Sequence, residues 1–420
     1  MIERVSLFAS KRDSLFLISI VSFILIFSLS LEYINYKKFT NFDSALLDAT
    51  VLKQYTKSKN NREYQVLKLK SKDNLIFYTT AKKSLQDLKN QEVEIEIWPK
   101  DLNFYKYLTT FYGYSKITEI KSTSSTKQNL NDYISSMHKE KEPQNIYQAL
   151  YTATPLDIEL QKIFSTLGVS HLLAISGFHL GVLSAILFFI MRPLYGFFQD
   201  RFFPYRNSKF DLFMLVGLAL FTYMLFLDSP PSLIRAFGML VVGFILYDRG
   251  IKIISMQTLF LTILLLLALF PRLLFSLGFW LSASGVFYIF LFLIHFKHLS
   301  KVWQFILLPV WVYLLMLPFS LAIFENFSIY HPLSILWTTL FTLFYPLSIL
   351  LHIVGFGDIF DPALLWLLKL GEDGVLITLN QYLFFLYLLL SFGAIFNRLC
   401  MRLLLGFALS LFIYAIYHVA

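Results

Sequence analysis

Residues 171–191 read HLLAISGFHLGVLSAILFFIM and contain no Asp, Glu, Lys or Arg. A stretch of about 18 or more apolar residues is long enough for a helix to cross a bilayer. Comparable stretches recur along the second half of the chain. Membrane spans are predicted near residues 172–191, 210–228, 233–248, 253–270, 273–294, 302–324, 332–356, 376–396 and 403–418. The pattern predicts a polytopic α-helical membrane protein.

The overall composition supports this fold class. Of the 420 residues, 57% are hydrophobic and 15% are charged, whereas soluble globular chains carry roughly 25% charged residues. The net charge of +9 fits basic loops at residues 192–209, 249–252, 297–301 and 398–402, which the positive-inside rule places in the cytoplasm. A single cysteine, Cys400, excludes an intrachain disulfide and a metal site built on several cysteines.

One segment breaks the alternation of membrane sides. The span at 332–356 is expected to end in the cytoplasm, whereas the span at 376–396 is expected to begin outside it. Pro332, Pro346 and the break at 355–362 interrupt this part of the chain. A re-entrant or interfacial segment is predicted there, and the topology of residues 356–376 is left open.

The N-terminal residues 1–36 are predicted to be a cytoplasmic end followed by the first membrane anchor. Arg4, Lys11 and Arg12 precede an apolar stretch at 15–31. The basic flank is typical of a signal peptide, but the length and the lack of a small-residue cleavage pattern favour an uncleaved anchor. The chain after it is expected to be extracytoplasmic.

Residues 37–121 contain no apolar stretch of spanning length. Apolar and polar residues alternate in EYQVLKLK (63–70) and EVEIEI (92–97), which is the pattern of β-strands. Asn60–Asn61 and residues 72–74 are predicted turns. About five short strands in roughly 80 residues favour a small β-barrel of the OB type.

This β domain is basic, with 16 Lys and Arg against 10 Asp and Glu. Such a surplus could attract nucleic acid through its phosphates, and exposed aromatic rings could stack on bases. The aromatic candidates are Tyr64, Phe77, Tyr78 and Trp98. Solubility beside an anionic membrane explains the surplus equally well.

Residues 122–170 are predicted to be a linker and an amphipathic helix. The Ser/Thr/Asn-rich stretch 122–131 is the expected linker. Thr154–Asp157 is expected to open the helix, since Thr caps, Pro suits the first turn and Asp favours the positive helix end. The helical stripe consists of Leu160, Ile163, Phe164 and Leu167. Gly168 is expected to end this helix, and residues 171–420 form the multi-span domain.

Three stretches of the chain are similar to motifs of the ComEC family of competence proteins. Residues 171–181, HLLAISGFHLG, resemble its H-L-L-A-I-S-G-x-H signature, and residues 160–171 resemble the helix that approaches it. Residues 229–236, SPPSLIRA, resemble the S-P-S-x-x-R-A segment. Pro271 together with residues 277–282, LGFWLS, resembles the N-P-x-x-x-x-x-x-G-F-Q-L-S element. The resemblance covers most of residues 40–350.

The resemblance implies a channel of the bacterial cytoplasmic membrane that imports single-stranded DNA during natural transformation. The outer β domain would receive the DNA and the helical bundle would form the path, with no enzymatic activity and no cofactor. The expected partners are single-stranded DNA, membrane lipids and separate receptor, motor and nuclease proteins, and self-association into a homo-oligomer is compatible with this role. No Walker motif is present, so the motor is expected to be a separate protein.

Two features depart from the family pattern. Trp280 stands where the family has Gln, which puts a polar channel role at this position in doubt. Many family members continue into a metallo-β-lactamase-like domain, but the sequence holds no H-x-H-x-D-H cluster. A nuclease is therefore expected to be another polypeptide.

The motifs supply the candidate site residues. They are His171, Ser176, Gly177, His179, Ser229, Pro230, Arg235, Gly278 and Ser282. His171 and His179 are eight residues apart and share roughly one helix face. They are predicted to line or gate a polar path; the alternative is that His171 marks the membrane interface and His179 packs between helices.

Ser176 and His179 also raise the hypothesis of a catalytic pair, because residues three apart on a helix can touch. No orienting carboxylate and no nucleophile-elbow pattern accompanies them. Gly177 and Gly181 are four apart and permit close helix packing instead. No catalytic residue is therefore predicted.

Arg235 follows a Pro-Pro pair and lies only a few residues inside a predicted span. It is a candidate phosphate contact, since a guanidinium can bind phosphate oxygens bidentately. The alternatives are snorkelling to the headgroup region and pairing with Asp228. The acidic residues of the C-terminal part are predicted to be solvated charges that form no metal site: Asp358, Asp361, Glu372 and Asp373.

Two further functions stay open at the level of the sequence. One is a transporter or flippase for another anionic polymer or lipid, from which only the three motifs distinguish the DNA channel. The other is a membrane-embedded hydrolase that uses the histidines or Ser176, for which no carboxylate or metal partner is found.

Overall fold

The computed structural model describes residues 11–59, 62–73, 75–89, 91–100, 102–121, 126–173, 175–250 and 253–419. Two compact units are present. The first, called here the sheet unit, comprises Ser10–Tyr133 and Leu264–Ser276. The second, called here the bundle unit, comprises Ile134–Ile263 and Leu277–Ala420, with the first nine residues outside the described part.

The sheet unit begins with a long apolar helix and continues into a β-sheet. Its elements are α1 (Lys11–Thr40), β1 (Ala45–Lys59), β2 (Arg62–Ser71), β3 (Ile76–Lys82), β4 (Glu92–Trp98), α2 (Phe104–Leu108), β5 (Phe111–Tyr112), β6 (Tyr114–Lys121) and most of α3 (Thr126–Met137). A 3-10 helix at Pro271–Phe275 also belongs to this unit.

The sheet has six strands in the order β5-β3-β2-β1-β4-β6. All pairs are antiparallel except β3 with β5. The predicted alternation is confirmed in β4, where Val93, Ile95 and Ile97 are buried in the core because successive side chains of a strand point to opposite faces. The structure shows a six-stranded sheet, and the predicted closure into a barrel stays a prediction.

The segments between the predicted domains differ in part from the expected linker and turns. Residues 126–131 belong to α3 and not to a linker, since Lys127, Asn129 and their neighbours form a regular helical turn instead of an extended stretch. The turn predicted at residues 72–74 lies between β2 and β3, where Lys72 and Asp73 form a turn. Asn60, Asn61 and Asn74 lie outside the described residues.

The bundle unit is almost entirely helical. Its elements are the end of α3, then α4 (Lys141–Thr152), α5 (Ile158–Thr166), α6 (Ser170–Leu173), α7 (Gly177–Phe202), α8 (Ser208–Phe226), α9 (Pro231–Asp248), α10 (Met256–Leu269, whose end belongs to the sheet unit), α11 (Leu277–His295), α12 (Lys301–Ile323), β7 (Asn326–Phe327), α13 (Ser334–Val354), α14 (Asp361–Lys369), β8 (Val375–Leu376), α15 (Gln381–Gly393) and α16 (Arg398–Val419).

Seven helices among the described residues are long and apolar enough to cross a membrane. They are α1, α7, α8, α11, α12, α13 with the 3-10 turn before it, and α16. The helices α10 and α15 are apolar but shorter, and α9 has 18 residues. The chain is therefore a polytopic helical membrane protein, as the apolar stretches predict.

The first predicted span, 172–191, is wrong at its beginning. The chain forms the single turn α6 and then breaks before α7, which starts at Gly177 and continues to Phe202. The hydropathy pattern did not indicate this break because Leu172, Leu173 and Ile175 are apolar and buried although they precede the long helix.

The approach helix α5 also starts later than predicted. Its N-cap is Asp157, without a side-chain capping bond, whereas the hydroxyl of Thr154 lies 2.9 Å from that of Thr152. Thr154 is therefore not the cap. The predicted end is confirmed, because α5 stops at Thr166 and Gly168 has a φ of +69°.

A two-stranded ladder explains the segment that breaks the alternation of sides. Asn326 and Phe327 of β7, just after α12, pair with Leu376 and Val375 of β8, before α15. The chain between the two strands therefore leaves and returns to the same end of α12. The two ends of residues 328–374, which include α13 and α14, therefore lie next to each other.

Candidate functional site

The signature segment at 171–181 forms a capped helix start. Ser176 is the N-cap of α7, and its hydroxyl accepts a hydrogen bond from the backbone N–H of Phe178 at 3.3 Å. The imidazole Nδ1 of His179 accepts from the backbone N–H of Ser176 at 3.2 Å. This reciprocal arrangement satisfies backbone donors that a helix start leaves unpaired, so it explains the contact between Ser176 and His179.

The second motif forms the strained start of α9. Asp228 and Ser229 have positive φ angles of 59° and 50°, a conformation that costs non-glycine residues free energy. Pro230 is the N-cap and Pro231 the first helical residue, where its missing N–H costs no hydrogen bond. The hydroxyl of Ser232 then donates to the carbonyl of Ile175 at 2.6 Å, which joins this motif to the first.

Arg235 joins the second motif to the third. Its side chain is 2% exposed, and one guanidinium nitrogen donates to the carbonyl of Gly278 at 3.0 Å and to that of Phe279 at 3.3 Å. Both carbonyls belong to the first turn of α11. The guanidinium thus acts as a bridge from α9 to α11.

The three motifs therefore meet at one place, called here the motif junction: residues 175–179, 229–236 and 277–279. Close packing reinforces the bonds, since a Cβ on Gly177 would lie 3.4 Å from that of Ala236. Ser282, the last candidate, lies one turn beyond Gly278 on α11 and is half-buried. No bond of Ser282 to the other candidates is present in the described part of the chain.

Helix α13 presents a polar and aromatic face to the bundle unit. This face, called here the inner face of α13, consists of Ser334, Thr338, Phe341, Tyr345, Ser348 and His352, which recur every three or four residues. The opposite face is exposed and aliphatic: Leu336, Leu340, Leu343, Leu347, Leu350 and Val354. Most amphipathic helices of soluble proteins bury the apolar face, and α13 does the reverse.

Both signature histidines contact the inner face of α13. The Nε2 of His171 lies 3.1 Å from the hydroxyl oxygen of Thr338. The ring of His179 is fully buried and lies edge-on to Tyr345, with centroids 4.6 Å apart, and to Phe341 at 5.3 Å. The predicted shared helix face is wrong, because the break before α7 puts His171 on α6 and His179 on α7, yet both rings lie against successive parts of α13.

The inner face continues beyond the signature. The hydroxyl of Tyr151 on α4 donates to Ser348 at 2.8 Å, and His352 contacts His138. The sequence interpretation missed these residues because it treated 332–356 as an interrupted apolar span. The recurrence of Ser, Thr and His at helical spacing within it was the signal that could have found them.

The sheet unit provides cations and aromatic rings of its own. The ammonium of Lys68 lies 5.6 Å from the centre of the Tyr78 ring, and burial lowers the pKa of Lys68. Tyr112 and Tyr114 are 52% and 72% exposed. Phe77, predicted to be available for stacking, is instead fully buried in the sheet core, because the alternation of β3 points it inward.

Within the described ranges, no group of three or more His, Cys, Asp or Glu residues could hold a metal ion. The prediction that Asp361 is a solvated charge is wrong. Its side chain is 14% exposed and accepts a hydrogen bond from His138, because α14 packs against α4 in the bundle unit.

Part of the chain matches known proteins. The family described as Competence protein matches residues 153–419. An uncharacterised protein of Aquifex aeolicus (strain VF5) is 29% identical over 178 residues, covering 41% of this chain and 40% of that protein. ComE operon protein 3 of Bacillus subtilis (strain 168) is 29% identical over 243 residues, covering 54% of this chain and 30% of that protein.

The chain thus aligns with less than half the length of either relative. No solved structure matches it. The family match includes all three motifs, the motif junction and α13. The chain therefore belongs to the Competence protein family of the ComEC type, a family of multi-pass membrane proteins with a role in DNA uptake.

Proposed function

We propose that the protein is a channel that passes single-stranded DNA inward across the bacterial cytoplasmic membrane during natural transformation. The observation that carries this proposal is that three family motifs bond to one another beside the inner face of α13. The family supplies the role in DNA uptake. The inner face of α13 is polar and aromatic, and it therefore differs from the apolar surfaces of the helices that suit contact with lipid.

The inner face of α13 is suited to a path for a polar strand. Polar side chains are costly within a membrane and generally face a protein interior or a water-filled cavity. Thr338 offers a hydroxyl, and His171 offers an imidazole nitrogen. Hydroxyl and imidazole groups donate hydrogen bonds to phosphate oxygens, and Tyr345 and Phe341 provide rings for transient contact with bases.

Arg235 has a positioning role in this proposal. Its bridge to two carbonyls of α11 fixes the starts of α9 and α11 relative to each other. The bond from Ser232 to Ile175 then fixes the start of α7. The motif residues thus hold His171 and His179 against α13, and the strand meets the histidines and hydroxyls.

The sheet unit is proposed to lie outside the cytoplasm and to receive DNA, with the N-terminus inside. Its two outermost strands, β5 and β6, are separated only by Gly113, whose N–H donates to the carbonyl of Tyr78 at 2.9 Å. This continuity supports closure of the sheet into an OB-type barrel. Exposed lysines and Tyr112 and Tyr114 would then contact phosphates and bases.

Separate receptor, motor and nuclease proteins complete the proposed pathway. The sequence contains no Walker motif, which supports a separate motor. The capping role of Ser176 and His179 supports transport in preference to hydrolysis at this pair.

The test uses a transformable host in which the gene is deleted and replaced by variants. His171→Ala and His179→Ala are compared with His298→Ala, which alters an exposed loop histidine, at matched protein levels. Entry of fluorescently labelled DNA into the cytoplasm is the measurement. For His171→Ala and His179→Ala, DNA entry is expected to fall at least tenfold while DNA is still held outside the membrane. His298→Ala is expected to match the wild type.

Unchanged entry in the deletion strain would refute the DNA channel. Transport of another anionic polymer or lipid would then be measured in the same strain. Loss of DNA binding outside the membrane, together with loss of entry, would show that the bundle unit acts before translocation and would also refute the proposed path.

A further inference from the structure

Three titratable side chains form a continuous chain of contacts in the bundle unit, away from the motif junction. His138 follows α3, His352 lies in the last turn of α13, and Asp361 starts α14. The Nδ1 of His138 is 3.0 Å and 2.9 Å from the two carboxylate oxygens of Asp361. The Nε2 atoms of the two histidines are 3.1 Å apart. The Nδ1 of His352 is 2.7 Å from the carbonyl oxygen of Ser348.

The three contacts need more protons than these side chains ordinarily carry. A carbonyl oxygen can only accept, so the Nδ1 of His352 carries a hydrogen. The contact between the Nε2 atoms needs one hydrogen, and the contact of His138 with Asp361 needs another. The three contacts therefore require three protons, whereas two neutral imidazoles and a carboxylate supply two.

The surroundings favour a group without net charge. His138 and His352 are 4% and 5% exposed, and the ring of His138 stacks on that of Tyr147 with centroids 4.6 Å apart. The oxygen of Tyr151 is 3.3 Å from the Nδ1 of His352. An uncompensated charge at such a place would cost several kcal/mol. A third proton makes the two histidines and the carboxylate neutral as a group.

The other titratable groups around these three side chains do not supply a positive charge that would balance the Asp361 carboxylate. Burial raises the pKa of Tyr147 and of Tyr151, so both hydroxyls keep their protons. Asp358, which lies on the 3-10 helix Gly357–Phe360 before α14, is exposed. Among the described residues, no lysine or arginine forms an ion pair with Asp361.

Close packing holds the rings in this arrangement. Gly357 lies so near that a Cβ there would be 3.0 Å from the ring of His352 and 2.9 Å from the sulfur of Met137. The end of α3, the end of α13 and the start of α14 are therefore held together around the two rings.

We propose that Asp361, His138 and His352 form a buried proton-binding site that keeps one proton more than two neutral histidines and a carboxylate hold. The proton is shared along the line from the carboxylate to the second imidazole. It ties α14 and α13 to the residue that follows α3.

The test is nitrogen NMR of the full chain in lipid bilayers, with ¹⁵N-labelled histidine, at pH 8. An ordinary histidine with a pKa of about 6.5 is only about 3% doubly protonated at that pH. The expected result is one imidazole with hydrogens on both nitrogens at near-full occupancy, or its equivalent, a protonated Asp361 carboxyl in isotope-edited infrared spectra.

Asp361→Asn is the informative variant. Its amide can donate to the Nδ1 of His138, and the three contacts are then satisfied with two ring protons. The variant is therefore expected to fold and to lack the third proton, so that the doubly protonated ring, or its equivalent, is absent from its spectrum at pH 8. Asp358→Asn is the matched control and is expected to keep the wild-type spectrum.

Two outcomes would overturn the proposal. One is a wild-type spectrum at pH 8 in which all histidines are singly protonated and no aspartic acid is protonated. The other is a doubly protonated ring that persists in Asp361→Asn, which would assign the signal to another histidine. Both outcomes can be read whether or not DNA passes through the protein.

Discussion

At the scale of single residues, Arg235 is a buried cation whose acceptors are main-chain carbonyls. Its Nη1 donates hydrogen bonds to the carbonyls of Gly278 and Phe279, and the side chain is almost completely buried. The planar guanidinium is weakly hydrated and directs several donors at fixed angles, whereas an ammonium is compact and strongly hydrated. The shape of the side chain therefore matters here as well as its charge.

We expect Arg235→Lys to lower both the thermal stability and DNA entry, although the charge is kept. Burying a lysine ammonium costs more than burying a guanidinium, and the bridge to two carbonyls is lost. Thermal melting in detergent and cytoplasmic DNA fluorescence are the measurements, with Arg201→Lys on the exposed end of α7 as control. Wild-type behaviour of Arg235→Lys would show that the charge alone is sufficient.

Gly168 is a second residue at which the structure predicts how a substitution changes stability. Its φ is +69°, and a Cβ there would lie 2.6–2.9 Å from ring atoms of His331. We expect Gly168→Ala to lower the free energy of unfolding by about 1–3 kcal/mol, since backbone strain and the ring contact add. Gly217→Ala on α8, where a Cβ would meet nothing within 4 Å, is expected to be neutral or stabilising.

A combined variant separates the two causes at Gly168. His331→Ala removes the ring, so Gly168→Ala in that background should cost only the strain of a positive φ, about 1 kcal/mol. An unchanged cost in both backgrounds would show that the ring contact contributes nothing. Equal thermal stability of Gly168→Ala and the wild type would contradict both.

At the scale of elements, local pattern predicted the helices and strands well wherever one face is buried. The alternation in β4 and the apolar stretches of α8, α11 and α12 were sufficient. The break between α6 and α7 was not predictable from hydropathy. It depends on the cap formed by Ser176 and His179, which competes with a continuous helix only once α9 and α13 are packed beside it.

The motifs named the candidate residues but did not indicate how these residues are arranged. Spacing predicted one shared helix face for His171 and His179, but the break before α7 puts them on different helices, and nothing in their sequence indicates that their partner is α13, about 160 residues later. The role of Arg235 as a bridge was equally hidden, because its acceptors are backbone carbonyls that any residue provides. Long-range contacts of this kind leave no local signal.

The excursion from β7 to β8 leads to a prediction of membrane sidedness. In a Cys400→Ser background, single cysteines are placed at Tyr330 and Asp373, which lie near the two ends of residues 328–374. A third single cysteine is placed at His298, before α12. An impermeant maleimide is expected to label positions 330 and 373 from the same side of the membrane, and position 298 from the other. Labelling of 330 and 373 from opposite sides would mean that the segment crosses.

At the scale of the whole molecule, the sheet unit and the bundle unit divide the proposed work. One carries surplus positive charge and exposed rings, and the other carries the family motifs. Affinity for a strand from phosphate contacts depends on salt, whereas stacking on rings depends less on it. The two contributions of the sheet unit can therefore be separated by experiment.

We expect the full chain in lipid nanodiscs to bind single-stranded DNA with an affinity that falls as salt increases, by about 0.7 logarithmic units per neutralised phosphate and tenfold change in salt. The double variant Tyr112→Ala/Tyr114→Ala should weaken binding at every salt concentration by about 1–3 kcal/mol per stacked base. Tyr417→Ala, which alters an exposed tyrosine of α16, should not. Equal binding by both variants would contradict stacking of bases on Tyr112 and Tyr114.

The ladder between β7 and β8 also has a consequence for the order of events during synthesis. When α13 leaves the ribosome it is an apolar helix long enough to be taken for a membrane span, and the strand that brings its end back has not yet been made. That strand follows β7 by about 50 residues, which takes roughly 3–10 s at typical rates of translation. For that interval the insertion machinery handles α13 without the ladder, so only packing on the earlier helices α7 and α12 can hold it in place.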